Sequence, residues 1–282
     1  MWSGELSDLE GKRILVWGEQ GLGDEILFSG NLQALVNAGA QVTLECEARL
    51  VPLMQRSWAE ISIYPALDPV DTELQGQYFD LQTPIGSLPY LLGVTSSREF
   101  GRHPPRLVPD TGLADRLRRN YQQGEDALLV GISWRSGASP ITSRKSAALD
   151  LWGEVLGFPG IRVVDLQYGD TTTERSAFEQ KTGIRLLHDP QVDSSHDLDA
   201  FAAQVAAMDH VITISNATAH FAGALGVPAD LLLSNGALWH WFSGMADSPH
   251  YPSLKLHRQE TPGDWSILLS RIAGRMKTAR AD

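Results

Sequence analysis

The 282-residue sequence is almost without cysteine: Cys46 stands alone, which excludes a disulfide framework and a cysteine-rich metal centre. It has no run of the ~18 apolar residues that a membrane span needs. Basic residues are in deficit, 23 Lys and Arg against 34 Asp and Glu, for a net charge of -11. So acidic a surface repels phosphate backbones and excludes nonspecific nucleic-acid binding as the main role. It leaves room for a local basic pocket that holds one small anion. The opening MWSGELSDLEGKR has acidic residues and no apolar core of a signal peptide, so the expected location is the cytoplasm. Hydrophobic residues are plentiful, at 43% against 20% charged, which excludes a disordered chain and supplies a packed core.

Apolar runs and glycine stops predict the organisation. ILVWG (14–18) reads as a strand buried on both faces, followed by the loop EQGLGDE and a helix from Ile26 to about Ala38 that Gly39 ends. VTLEC (42–46) and ISIY (61–64) are the next strands, with a helix over 49–56 between them. This β-α-β-α-β order predicts a doubly wound half with right-handed crossovers. Residues 65–110, ending in HPPRLVPD, read as an irregular connection, with a helix over 113–121.

The pattern then restarts. Strands are predicted at 127–134, 161–167, 184–187, 210–215 and, last, 229–234. Helices are predicted at 152–156, 174–182, 197–208 and 217–225. The fold class is therefore α/β, two Rossmann-like domains facing a cleft, with the ligand expected at the carboxyl ends of the strands.

Three strand-to-loop junctions could carry chemistry. EQGLGD spaces its glycines GxxGxG rather than GxGxxG, so a dinucleotide fingerprint competes with a plain tight turn. Asp24 there opens a helix, where a carboxylate also simply stabilises the dipole. SNATAH (215–220) places Ser215 or Asn216 at a helix N-cap, and the N–H groups of Ala217, Thr218 and Ala219 would then suit a phosphate or pyrophosphate. His220 is either a ligand-facing donor or a histidine satisfied within the fold. Arg144 and Lys145, in the polar loop RSGASPITSRKS (135–146), suit phosphate pairing and equally suit solvent. Asp197 and Asp199 resemble a metal-holding DxD, but their position before an alanine-rich helix favours capping. Trp239, Trp241, Tyr251 and Trp265 could stack on sugars or bases, or could be packing residues.

Seven segments in order resemble the glycosyltransferase domain at the C-terminus of many bacterial tetratricopeptide-repeat proteins. They are LVWGEQGLGDEILF (15–28), RLVPLMQRS (49–57), VGISWRSG (130–137), SRKSAALDLW (143–152), DLQYGD (165–170), residues 197–228, and DSPHYPSLKLHRQETPGDW (247–265). That domain is similar to the heptosyltransferases, of the inverting GT-B type, and more remotely to O-GlcNAc transferase. The resemblance implies an acceptor domain over 1–122, joined by a closing helix over 264–279, and a nucleotide-sugar domain over 123–263. It implies transfer of a hexosyl or heptosyl unit to a protein or saccharide acceptor, with no metal and no other cofactor. A tetratricopeptide-repeat segment is the expected partner in a longer form of the chain.

Carried over by position, the resemblance makes Asp24 the general base. Lys145, Arg144 and the run Asn216, Ala217, Thr218, Ala219 and His220 would hold the donor diphosphate. Ser133, Trp134, Gln167 and Tyr168 would lie near the nucleotide, and Gln20, Gly21, Gly23 and Trp239 on the acceptor side or its loops. The chain departs from the pattern at Ser215, where the heptosyltransferases carry Asp. It departs again at His250, where SPWYP has Trp, and at His257, where LFRQ has an aromatic. The Ser215 departure favours a second possibility, a GT-B binding module without catalysis.

Overall fold

The computed structural model describes residues 1–137 and 144–278, the side chains of 276–278 excepted. Residues 138–143 of the loop expected over 135–146, and residue 279 of the expected closing helix, lie outside the described residues. The chain forms two compact units, each built on an all-parallel sheet. One comprises 1–109, 224–226 and 249–252, and the other 110–223, 227–248 and 253–282.

The first unit carries a four-stranded sheet in the order β3-β2-β1-β4. Its strands are β1 (Arg13–Trp17), β2 (Gln41–Glu47), β3 (Ser62–Ala66) and β4 (Leu81–Pro84). The first three are those expected from their apolar runs. β4, LQTP, is short and polar, and pairs parallel with β1 inside the stretch expected to be irregular. Crossing from β3 to β4 passes back over β1, so the topological switch point lies between the ends of β1 and β4.

The helix expected from Ile26 to Ala38 is two helices, α1 (Leu22–Ser29) and α2 (Leu32–Asn37). The break has local causes. Ser29 Oγ donates to the Ile26 carbonyl and Asn31 Nδ2 to that of Phe28, bonds that compete with the helical ladder. Gly30 also lies so close to the His103 carbonyl that a Cβ would collide with it. α3 (Val51–Ser57) then crosses from β2 to β3.

The second unit has six parallel strands in the order β10-β9-β8-β5-β6-β7. These are β5 (Leu128–Ser133), β6 (Ile161–Asp165), β7 (Leu186–Leu187), β8 (His210–Ile214), β9 (Ala229–Leu233) and β10 (Leu254–Arg258). β9 was expected to be the last; β10, LKLHR, extends the sheet beyond it. The helices are α4 (Thr111–Gln122), α5 (Gly153–Leu156), α6 (Thr172–Thr182), α7 (Leu198–Ala206), α8 (Ala217–Ala224) and α9 (Ser266–Thr278).

The units divide at 109/110 rather than at the expected 122/123, and α4 shows why. Asp110 Oδ1 caps α4 through the Leu113 N–H at 2.9 Å. Arg118 pairs with Asp209 at 2.7 Å, and buried Tyr121 donates to Asp189 and accepts from Gln204. All these partners belong to the second unit. The closing helix α9 was expected to join the first domain; its buried residues Leu268, Leu269, Ile272 and Ala273 pack, with Trp265, in the second core beside Trp152 and Val155. Burying such side chains contributes about 1.5–3 kcal/mol each, which fixes α9 there.

A buried carboxylate organises the opposite end of that sheet. Asp230, on β9, accepts from His210 of β8 at 2.9 Å, His257 of β10 at 2.6 Å and Arg275 of α9 at 2.9 Å. Burial opposes its charge, but the bonds from His210 and His257 prevail and hold its pKa well below the usual carboxylate range. His257, a departure from the family pattern, is thus a partner of Asp230. His250, another, packs edge-on against Phe100 at 4.9 Å.

Candidate functional site

In the second unit β5, β6 and β7 run outward in one direction and β8 returns on the other side of β5, so the switch point lies between β5 and β8. Both strands lead into the turns singled out from the sequence. β8 ends at Ile214, and Asn216 turns the chain into α8. Asn216 Oδ1 accepts the Thr218 N–H at 3.1 Å, as an N-cap side chain does. Its Nδ2 donates to Ser133 Oγ at 2.7 Å and to the Arg135 carbonyl at 3.3 Å, tying the ends of β5 and β8 together.

A third strand joins them through Gln167. Its Oε1 accepts from Ser133 Oγ, Trp134 N and Arg135 N at 2.8–3.1 Å. Gln167 and Ser133 are buried, so they hold the turn rather than line open space. Trp134 is also turned inward, its indole N–H donating to Glu174 at 2.9 Å. Of this group Tyr168 is the half-buried member, with the Arg135 guanidinium over its ring at 5.9 Å. Burial raises its phenol pKa.

Sequence reasoning missed the supports of this turn. Arg135 is held by Glu174 at 2.9 Å and by the Asp170 carbonyl. Asp165, buried at the end of β6, accepts from Thr171 at 2.6 Å and from Gln167 N, with Arg175 and His188 each 3.2 Å away. Burial raises the Asp165 pKa despite those partners. Only long-range contact reveals such roles, since in sequence these are ordinary polar residues after a strand.

The α8 turn is more self-contained than its sequence suggested. The Thr218 N–H goes to Asn216 Oδ1 and the Ala219 N–H to the Asn216 carbonyl, which leaves Asn216 and Ala217 as the half-buried part. The Ala217 N–H is among those that a helix start leaves without an intrahelical partner. Thr218, Ala219 and His220 are buried. His220 packs against Trp241 at 5.1 Å and His240 at 5.4 Å.

Ser215 accepts a 2.8 Å bond from the indole N–H of fully buried Trp241. Ser215, singled out from the sequence as a departure, is therefore part of a packed indole contact, and Trp241, Tyr251 and Trp265 are core residues. Trp239 is different: 57% of its surface is exposed.

Lys145 is half-buried and Arg144 exposed. Lys145 acts electrostatically on His240, which is only 2% exposed and whose Nε2 has no hydrogen-bond partner. Burial first and the Lys145 charge second lower the His240 pKa to about 4, so this imidazole is neutral at pH 7. Asp197 accepts the Ala200 N–H at 2.9 Å and caps α7, as the capping alternative has it. Among the described residues no group of three or more His, Cys, Asp or Glu converges as metal ligands do, and no helix is long and apolar enough to cross a membrane.

In the first unit the loop after β1 lies at the β1–β4 switch point. Gln20 adopts a left-handed φ of 72°. Glu19 and Gln20 approach Gly86, just past β4, where a Cβ would lie 2.5 Å from Glu19 Oε1. Gly21 is the extended N-cap of α1, and Gly23 and Asp24 follow in its first turn, half-buried. Asp24 acts electrostatically on the buried Tyr251 hydroxyl and on Glu25.

Glu25 was not expected to matter, yet it is the more perturbed carboxyl. It is 7% exposed and accepts the Glu47 N–H at 2.9 Å. Burial foremost, with Glu47 and Asp24 nearby, raises its pKa from 4.5 to about 7. Its carboxylate fills the space where Gly18 would carry a Cβ, 2.5 Å away, so a side chain there would have to displace it. The same acidic cluster and burial raise the Cys46 thiol beyond any ordinary range, so Cys46 is inert.

No family model matches the chain. Protein FlbA of Caulobacter vibrioides is 31% identical over 292 residues, an alignment covering 96% of this chain and 47% of FlbA. The chain thus spans about half the length of the curated relative it matches. The family 9 glycosyltransferase of Veillonella parvula superposes with a TM-score of 0.67 at 14% identity, covering 96% of this chain and 97% of that one. ADP-heptose lipopolysaccharide heptosyltransferase II of E. coli gives 0.62 at 15% identity, covering 94% and 99%. E. coli heptosyltransferase WaaC, solved with ADP-2-deoxy-2-fluoro heptose, gives 0.58 at 13% identity, covering 95% and 99%. The α/β fold of this chain, with its parallel sheets, is that of the family 9 heptosyltransferases.

Proposed function

We propose that the chain is an inverting glycosyltransferase that moves a sugar from a nucleotide-sugar donor to a protein or saccharide acceptor without a metal. The observation that carries this reading is the turn at the β5–β8 switch point. There Asn216 opens α8 and is tied to buried Ser133, which Gln167 holds in turn. Lys145, which acts electrostatically on His240, would supply the positive charge. A helix start with a nearby ammonium suits a diphosphate, and two of the solved neighbours are an ADP-heptose enzyme and one holding an ADP-heptose analogue.

In this reaction the acceptor oxygen attacks the anomeric carbon from the face opposite the diphosphate. The carbon–oxygen bond to the diphosphate breaks and its electron pair leaves with the nucleotide. Asp24 takes the acceptor proton; at the positive end of α1 its charge is favoured, and it accepts late, as the hydroxyl becomes acidic. Lys145, with Arg144, and the α8 turn neutralise the leaving group in place of a metal, and each such contact is worth about 10²–10³ in rate. Tyr168, half-buried beside Arg135, would meet the nucleoside.

The test is transfer or donor hydrolysis across a panel of nucleotide sugars in the presence of EDTA. Turnover should survive EDTA and fall by about 10²-fold or more in Asp24→Asn, with donor affinity near wild type. Turnover that requires Mn²⁺ or Mg²⁺ would overturn the metal-free mechanism. One observation favours the second reading, a non-catalytic binding module: Ser215, bonded to Trp241, offers no carboxylate where the resemblance implies one. Tight nucleotide binding with no transfer to any acceptor would select it.

A further inference from the structure

We propose that the cavity at the carboxyl ends of β9 and β10 binds a single acidic pyranose, a sugar ring bearing a carboxylate. The cavity measures about 230 Å³ and is lined by the 234–244 loop together with Arg258 and Gln259. That is below the roughly 300–1,000 Å³ of sites for drug-sized ligands, so it suits one ring rather than a nucleotide.

Its polar groups are donors. Gln259 Oε1 is pinned by the N–H groups of Asn235 and Gly263, both at 3.3 Å, which fixes the amide orientation. Among the described residues the opposite corner, Nε2, is buried without a hydrogen-bond partner on a side chain only 6% exposed. Arg258 Nε is likewise buried and without a partner among them. Unpaired buried donors are costly, and they leave this wall of the cavity rich in donors and poor in acceptors.

The charge argues for an anion. Arg258 Nη2 donates to the Trp241 carbonyl at 2.6 Å and to that of Phe242, both neutral acceptors. No aspartate or glutamate lines the cavity. Among the described residues its guanidinium therefore has no counter-charge, in a chain whose net charge is -11. A partly desolvated cation without a partner is costly, and a carboxylate matches its planar fork. Exposed Trp239, beside Leu238, adds a flat apolar wall. An indole there covers the C–H face of a ring while the ring's carboxylate meets the Arg258 guanidinium at the cavity wall.

The site is separate from the diphosphate turn and needs no nucleotide. The experiment titrates the full chain with methyl glucuronide and methyl galacturonide, their neutral methyl glucoside and galactoside counterparts, and inorganic phosphate. Saturation-transfer NMR and tryptophan fluorescence read binding. At least one uronide should bind at about millimolar affinity, tenfold or more tighter than its neutral counterpart. Trp239→Ala, exposed and so tolerated by the fold, should weaken it at least tenfold, and Trp239→Phe should keep most of it. Gln259→Glu, checked by its melting curve, should also lose it. The proposal is overturned by no uronide binding, by equal binding of neutral rings, by indifference to Trp239→Ala, or by phosphate displacing the uronides with an affinity equal to theirs. A parallel titration with ADP and UDP separates this site from the proposed reaction. Uronide binding without nucleotide binding keeps the cavity and removes the glycosyltransferase reading, and the reverse removes the cavity alone.

Discussion

Glu25 makes the stability of this protein depend on pH in a window where few carboxyls act. Its pKa lies at about 7 when folded, against 4.5 for an ordinary glutamate, because burial beside Gly18 outweighs the bond from the Glu47 N–H. The folded state thus holds this proton more tightly than the unfolded chain. Its favourable contribution is complete below pH 4.5 and is lost as pH rises through 7. At about 1.4 kcal/mol per pH unit, trimmed for solvent screening at the strand ends, the loss is about 2–3 kcal/mol. Glu25→Gln mimics the protonated side chain and keeps an acceptor for the Glu47 N–H. The variant should match wild type near pH 4.5 and exceed it by about 2–3 kcal/mol at pH 8.5, a rise in melting temperature of roughly 5–10 °C. Thermal unfolding followed from pH 4.5 to 8.5 gives the difference curve, in which carboxyls common to both proteins cancel. Parallel profiles for the two proteins would refute the assignment of a buried, proton-binding Glu25.

Three further outcomes are expected. Asp230→Asn removes the charge shared by His210, His257 and Arg275 and should destabilise the protein by about 3–5 kcal/mol, seen as a lowered denaturation midpoint. The wild-type Asp230 contribution is present above the ordinary carboxylate pKa of 3.8 and is lost only as pH falls below it, so the two proteins should converge in stability in strong acid. Ser215→Ala leaves the Trp241 indole N–H unpaired in the core and should cost about 1–3 kcal/mol in chemical denaturation, while Ser215→Thr costs less.

The elements that were legible were those whose burial is written in the chain itself. β1, β5 and β8 are continuous apolar runs, as strands covered on both faces must be. β4 and β10 were not legible, because LQTP and LKLHR are short and polar and gain their place only by pairing with β1 and β9. The break between α1 and α2 has local causes in Ser29 and Asn31, but the approach of the His103 carbonyl that requires glycine at position 30 is encoded by no local pattern. At the candidate site a helix cap at Ser215 or Asn216, of which the structure selects Asn216, followed from residue type and position. The inward turn of Trp134 and Gln167, the Ser215–Trp241 bond and the raised pKa of Glu25 did not, since each depends on partners 22 to 40 residues away.

The central claim is that the α8 turn and Lys145 hold a nucleoside diphosphate without a metal. Isothermal titration of the chain with ADP, UDP and GDP in EDTA, alongside Lys145→Ala, tests it directly. At least one nucleotide should bind to wild type with no metal present, and Lys145→Ala should weaken it by about tenfold, the effect of one charge-assisted contact. No binding by any of the three in EDTA, or affinity unchanged in Lys145→Ala, would contradict the claim.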